Sequence, residues 1–269
     1  MRKSLLAVAV LGTLSFSAAS FAADEAAAPA PDYTVTTNVG IFSDYIFRGL
    51  SQTAGKPALQ GGIDWTHSSG LYLGAWGSNQ SWLADAGAST GAGAYRNSSI
   101  ELDVYGGYRS TIGDTGLSYD VGAIYVAYPG TRTSAAVIKA DTAEVYGALT
   151  YSILTFKVNY ALTDFYGVPN SGEFYFDLTA NYPVPTEWTG ISGISAVAHV
   201  GRQKVNADPA LALDYTDYKL GLAKAWDNGV SLGGYFTSTT ASDTGYGNNF
   251  YSYKNTGSNA LTGYLTKTF

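Results

Sequence analysis

From Tyr33 to the end of the chain, apolar and polar residues alternate with a period of two, in segments separated by clusters of Gly, Asn, Asp, Ser and Pro. Successive side chains of a strand point to opposite faces, so this period predicts strands with one apolar and one polar face. In one segment Ile100, Leu102, Val104, Gly106 and Tyr108 oppose Glu101, Asp103, Tyr105, Gly107 and Arg109. In another, Phe174, Phe176, Leu178, Ala180 and Tyr182 oppose Glu173, Tyr175, Asp177, Thr179 and Asn181. The first segment reads as one long strand. It carries Tyr33, Val35, Thr37, Val39, Ile41, Ser43, Tyr45 and Phe47 on one side, with Asp44, Ile46 and Arg48 on the other.

The same reading gives 12 segments, at 33–48, 57–66, 71–79, 99–109, 117–128, 142–151, 155–165, 173–182, 194–203, 214–226, 230–239 and 260–269. Most have roughly the nine to eleven residues of a tilted strand that crosses a bilayer. Beyond the N-terminal stretch there is no apolar run of about 20 residues that would span as a helix. A chain that crosses a membrane without such helices must close into a barrel, because lipid cannot satisfy an open sheet edge. The predicted fold is therefore all-β: a 12-stranded antiparallel transmembrane β-barrel of the outer-membrane type over 33–269. A soluble lipocalin-like barrel is the alternative; it would turn its apolar face inward.

The connections carry separate information. Alternate ones are short (67–70, 110–116, 152–154 and 227–229), and the others are mostly longer (49–56, 80–98, 129–140, 166–172, 204–213 and 240–259). Bacterial barrels have short periplasmic turns and long outer loops. The connection 183–193 is long on the short side and breaks this rule. An even strand number puts both termini in the periplasm. On the apolar faces Trp65, Tyr108, Tyr119, Tyr151, Phe156, Tyr182, Trp226 and Phe269 fall near one set of strand ends. Tyr45, Phe47, Tyr125, Phe174, Tyr218 and Phe236 fall near the other, as expected for two interfacial belts. The charges on these faces, Arg202, Lys224 and Lys267, also lie near strand ends, where they can snorkel.

Composition agrees with a two-sided wall. Charged residues make up 13% of the chain, and mean hydropathy is −0.01; a soluble domain carries about twice that charge. At the N-terminus Arg2 and Lys3 precede an apolar stretch at 5–16, and Ser20 and Ala22 occupy the −3 and −1 positions of a cleavage site. Residues 1–22 thus read as a signal peptide and 23–32 as a flexible Ala/Pro/acid leader. Cleavage would remove two bases, taking the net charge from −6 to about −8 (13 basic against 21 acidic residues). That leaves no basic patch for nucleic acid. With no cysteine there is no disulfide, thiolate metal site or lipid-anchoring cysteine, and only His67 and His199 remain as imidazoles. No cofactor is implied.

At 43–53 the chain reads Ser43-Asp44-Tyr45-Ile46-Phe47-Arg48-Gly49-Leu50-Ser51-Gln52-Thr53. Pro57-Ala58-Leu59-Gln60-Gly61-Gly62-Ile63-Asp64 and Gly70-Leu71-Tyr72-Leu73-Gly74-Ala75-Trp76-Gly77-Ser78-Asn79 follow. These stretches, with Glu101-Leu102-Asp103-Val104-Tyr105-Gly106-Gly107-Tyr108 and the ending Lys267-Thr268-Phe269, closely resemble the TorF-like porins. That family was formerly described only as proteobacterial proteins of unknown function. The resemblance covers nearly the whole mature chain. It implies an outer-membrane barrel and a channel, and it brings no substrate.

The polar face holds the candidate chemistry. Its acids are Asp44, Asp64, Glu101, Asp103, Asp120, Glu144, Glu173, Asp177 and Asp217; its bases are Arg48, Arg109, Lys157 and Lys219. Nine acids against four bases predict a negative lumen that favours cations. Alternatively the charges pair and plug a narrow barrel; twelve strands lie between filled eight-stranded barrels and open 16-stranded porins. Arg48 either forms a constriction with Asp64 on the neighbouring strand or, with Asp44, holds the first loop in place. Inward rings (Phe42, Tyr72, Trp76, Tyr105, Tyr146, Tyr175 and Tyr235) either form a stacking track or fill volume. No serine motif accompanies His67 or His199, so catalysis is not expected. The sequence thus predicts an outer-membrane channel for passive diffusion of small hydrophilic solutes, cation-preferring. A plugged structural or adhesive barrel acting through its outer loops is the alternative; loops 80–98 and 240–259 either serve that role or fold inward and constrict the pore. Expected partners are outer-membrane lipids, the barrel-insertion machinery, an unidentified small solute and further copies of the chain.

Overall fold

A computed structural model describes residues 31–86, 94–169, 172–247 and 255–269. The expected signal peptide and all but the last two residues of the leader lie outside them. Twelve strands form the wall: β1 (Tyr33–Phe42), β2 (Ala58–His67), β3 (Leu71–Asn79), β4 (Ile100–Thr111), β5 (Leu117–Ala127), β6 (Thr142–Tyr151), β7 (Leu154–Ala161), β8 (Phe174–Pro183), β9 (Ile194–Lys204), β10 (Tyr215–Ala225), β11 (Val230–Thr239) and β12 (Ala260–Thr268). Each pairs antiparallel with the next, and β12 pairs with β1 to close the sheet. β1 meets β2 from Tyr33↔His67 to Phe42↔Ala58, but meets β12 only from Asn38↔Thr268 to Phe42↔Tyr264. This offset is the stagger that tilted strands need to close a barrel. Among the described residues the helices are single turns, and none is long and apolar enough to cross a membrane.

The two faces follow strand parity. Ile41, Leu59, Leu73, Val104, Leu220, Leu222 and Leu265 are exposed on the outside, while Glu101, Glu144, Gln203 and Asp217 are buried inside. Leu102 and Leu178 lie on the exterior, 47% and 44% exposed, with Asp103 and Asp177 turned inward. This polarity is the reverse of a lipocalin-like barrel and sets that alternative aside. An apolar exterior around a polar interior is the arrangement lipid requires.

The first segment is not one strand. β1 ends at Phe42, where the Ser43 amide donates to the Gly263 carbonyl of β12. The chain then leaves the wall and forms a small hairpin, Ile46–Phe47 against Leu50–Ser51. Its tip is Arg48 (φ 46°) and Gly49 (φ 78°). Two consecutive positive φ values are those of a tight type I′ turn. Alternation continues through such a hairpin, so period alone does not mark where the strand leaves the sheet. Tyr45 and Phe47, expected on the outer belt, are instead drawn inside the mouth.

The short connections, 68–70, 112–116, 152–153 and 226–229, gather at one end of the barrel, and the long ones at the other. The exception persists at 184–193, which contains the helical turn Thr186–Thr189.

Candidate functional site

The candidate site is the lumen, and its charged residues fall into layers. At the loop end, Glu101 of β4 accepts hydrogen bonds from the Tyr45 hydroxyl (2.6 Å) and the Tyr128 hydroxyl (2.5 Å). Glu144 of β6 pairs with Arg48 at 2.6 Å. The other Arg48 nitrogen donates to Gln203 of β9 at 3.2 Å, and the guanidinium lies 4.5 Å from the centre of the Tyr175 ring of β8. Loop 43–57 thus starts from β1 and is fastened to walls contributed by β4, β6, β8 and β9. Gly49 lies so close to Asp217 that an added Cβ would be 2.5 Å from the aspartate Cβ. Asp44 accepts hydrogen bonds from Ser51 (2.7 Å) and Thr53 (2.9 Å), which pins the loop to itself. The Arg48–Asp64 constriction does not form. The hairpin carries Arg48 across the mouth to Glu144, while Asp64 accepts from the Tyr105 hydroxyl at 2.6 Å.

Deeper in the barrel, His199 of β9 lies between Asp177 of β8 (Nδ1 to Oδ2, 3.2 Å) and Asp217 of β10 (Nε2 to Oδ1, 2.9 Å). The Tyr175 hydroxyl donates to Asp217 at 3.1 Å. Lys219 is in register with His199, and Lys157 with Asp177. The Lys157 ammonium lies 4.0 Å from the Tyr146 ring centre. Nearer the short turns, the Tyr72 hydroxyl donates to Asp120 at 2.6 Å and meets the Tyr146 hydroxyl at 2.5 Å. Arg109 is in register with Asp120 and lies over Tyr72, 4.2 Å from its ring centre.

Exposure divides these layers. Asp44, Glu101, Glu144, Glu173 and Asp217, all near the loop end, are buried. Asp64, Asp103, Arg109, Asp120, Lys157, Asp177 and Lys219 are only half-buried. Among the described residues, Oδ1 of Asp103 has no hydrogen-bond partner. The charged side chains are therefore packed more tightly at the loop end than below it. Loop 80–99 contributes Leu83 to a buried cluster with Tyr95, Val126, Tyr128 and Ala140. Parts of that loop and of 240–259 lie outside the described residues, so the choice between an outward role and an inward fold is followed only in part.

All seven inward aromatics point inside, and some lie flat against the wall. Gly74 of β3 faces Tyr105 of β4 directly, and a Cβ at Gly74 would be 2.3 Å from that ring. A ring laid over glycine occupies less of the lumen than one projecting to its centre. Strand parity predicts all thirteen charged candidates on the inner face of strands; ten are there, while Asp44 and Arg48 lie in the first loop, where the chain has left the wall, and Glu173 lies just before β8. Parity did not find Tyr128, Gln203 or the clamp on His199. Gln203, His199 and Tyr128 all share the inward parity; Tyr128 closes the expected segment 117–128 and lies one residue past the end of β5. His67 stands apart, its Nδ1 2.8 Å from the Ser69 hydroxyl in the adjoining turn. Among the described residues no cluster of His, Asp and Glu is arranged to hold a metal ion.

None of the curated proteins compared by sequence matches the chain. Among solved structures, the KdgM porin is similar over 87% of this chain and 98% of its own, with a TM-score of 0.49 and 6% identity. OccAB3 of Acinetobacter baumannii is similar over 90% of this chain and 65% of its own, with a TM-score of 0.44 and 10% identity. OprD of Pseudomonas aeruginosa is similar over 87% of this chain and 66% of its own, with a TM-score of 0.38 and 12% identity. The chain spans about two thirds of the length of these last two. A family model matches residues 25–269, and on that match the chain belongs to the Gcw_chp family, bacterial proteins of unknown function.

Proposed function

We propose that the protein is an outer-membrane channel that passes small hydrophilic solutes by diffusion and prefers cations. The observation that carries this reading is the set of half-buried carboxylates, Asp64, Asp103, Asp120 and Asp177, inside a wall whose outer surface is apolar. Carboxylates around a confined aqueous path lower the energy of a passing cation and raise that of an anion. The acid excess persists after pairing: Arg48 is taken up by Glu144, while His199 is shared by two aspartates. The resemblance to TorF-like porins supports the same reading. The hairpin of loop 43–57 is then the narrowest element, and it sets the size limit at the outer mouth.

Burial of the loop-end layer favours a second reading, a barrel plugged by its own first loop and acting through its outer loops. Conductance of the purified protein in planar lipid bilayers separates the two. Discrete current steps with a reversal potential on the cation side in a salt gradient support the channel. Silence at both polarities, with the protein shown to be inserted, supports the plug.

A further inference from the structure

The turn 184–193 is the long connection at the short-turn end, and the channel reading gives it no role. Its shape is fixed. Pro183 and Pro185 restrict its entry, Thr186–Thr189 make one helical turn, and Gly190 (φ 70°) ends that turn. At its exit Gly193 (φ 70°) lies against β10, where a Cβ would be 2.4 Å from the Ala225 carbonyl oxygen.

Two contacts show which way the turn leans. The Trp188 ring lies 6.0 Å from that of Tyr182, which faces outward from β8. The Lys224 ammonium, on the outward face of β10, donates to the Ser192 carbonyl at 2.6 Å. The turn therefore contacts outward-facing residues of β8 and β10 and spans the ends of β8 to β10. Trp188 is 70% exposed there; Ile191 of the same turn and Trp226, whose ring the Lys224 ammonium approaches, are exposed as well. The patch continues the apolar belt of the wall, at the level where tryptophan and lysine favour a membrane–water interface.

We propose that the 184–193 turn is a lipid-binding finger, whose Trp188 and Ile191 enter the interfacial layer of the periplasmic leaflet. The occupant is a phospholipid surface. Indole, an aliphatic chain and a lysine beside a tryptophan ring (5.2 Å) match the boundary between acyl chains and phosphates. This rests on the membrane-spanning reading of the barrel, whose outer wall the finger extends.

The test uses the refolded full chain in vesicles of phosphatidylethanolamine and phosphatidylglycerol, with lipids brominated at known acyl positions as quenchers. The emission lost on Trp188→Phe isolates Trp188, and that lost on Trp226→Phe isolates an aromatic on the wall itself. Blue-shifted Trp188 emission is expected, quenched most by bromines near the headgroup and less by those toward the bilayer centre. Unquenched Trp188 with the emission of an indole in water overturns the finger. So does unquenched but blue-shifted emission that depends on protein concentration, which would mean that a second copy covers the patch. In both cases quenching of Trp226 shows the barrel still spans. Loss of quenching at both residues would reject the membrane reading as well.

Discussion

Arg48 and Glu144 meet at 2.6 Å although one belongs to a loop hairpin and the other to the barrel wall 96 residues away. Both side chains are buried, at 8% and 3% exposure. Removing one partner of such a pair leaves an uncompensated charge, at a cost of about 3 kcal/mol. Arg48→Ala is expected to lower stability by about that amount and to release the hairpin. Larger or noisier current steps than wild type in planar bilayers would report the opened mouth. Adding Glu144→Gln should recover part of the stability, because the stranded carboxylate is then gone. Full additivity of the two losses in an unfolding cycle would contradict the pairing.

The wall predicts a depth-dependent penalty for charge on its outer face. Leu220, at the middle of β10, is 64% exposed, and Leu261, near the loop end of β12, is 79% exposed. A lysine at mid-membrane costs about 2–4 kcal/mol, falling to about 0–1 near the interface. Leu220→Lys should therefore destabilise the lipid-embedded barrel by several times more than Leu261→Lys, as read by denaturant unfolding from vesicles. In a barrel whose outside faced water the two would differ little.

The Gly74–Tyr105 pair makes a packing prediction. The three nearest atoms that an alanine Cβ at position 74 would meet all belong to the Tyr105 side chain. Gly74→Ala should cost about 1–3 kcal/mol through overpacking. Tyr105→Leu should also destabilise, since it removes the hydroxyl that Asp64 accepts from. Combined, the two should cost clearly less than their sum, because the second substitution removes the atoms the first collides with. Thermal unfolding of the four proteins checks this.

At the loop end, Asp214 pairs with Lys204, accepts from the Val205 amide at 2.8 Å and lies 3.6 Å from Arg202. Burial alone would raise its carboxyl, but these partners outweigh it and hold the group below the usual carboxylate range. A depressed folded value stabilises the loop above the ordinary carboxylate range, and that contribution fades as pH falls through the depressed value. The group is partly exposed, so the effect should be small and should weaken with salt. Protease nicking of loop 205–214 is expected to stay slow at neutral pH and to quicken at strongly acid pH, with Asp214→Asn fast throughout. Equal rates for the two proteins at neutral pH would refute the clasp.

Glu101 and Asp103 share the inner face of β4. Replacing both by their amides should shift the reversal potential in a salt gradient toward zero while current steps persist. An unchanged reversal potential would remove these two from the selectivity account.

Leu102 and Asp103 are neighbours in sequence and stand on opposite sides of the wall, and the chain announces this because strand parity leaves no other choice. Parity assigns a face and says nothing about neighbours. It placed His199 inside, but the clamp by Asp177 and Asp217 depends on the registers of β8, β9 and β10, which come from pairing between distant segments. Tyr45 was misplaced for a different reason. Past Phe42 the chain turns off the sheet at a hairpin whose alternation looks like more strand. The Arg48–Glu144 contact was unreadable for the same reason, since it joins a loop tip to a wall through tertiary folding alone. The oddity at 183–193 was visible as a length, while its lean against the outer wall was not.

The account stands on carboxylates facing water inside a wall whose apolar side chains face lipid. The chain has no cysteine, so single cysteines report without background. Asp103→Cys and Leu102→Cys, each in the protein inserted into vesicles, would be treated with a charged, membrane-impermeant thiol reagent. Labelling of position 103 with protection of position 102 is predicted. Protection at 103 together with labelling at 102 would contradict it.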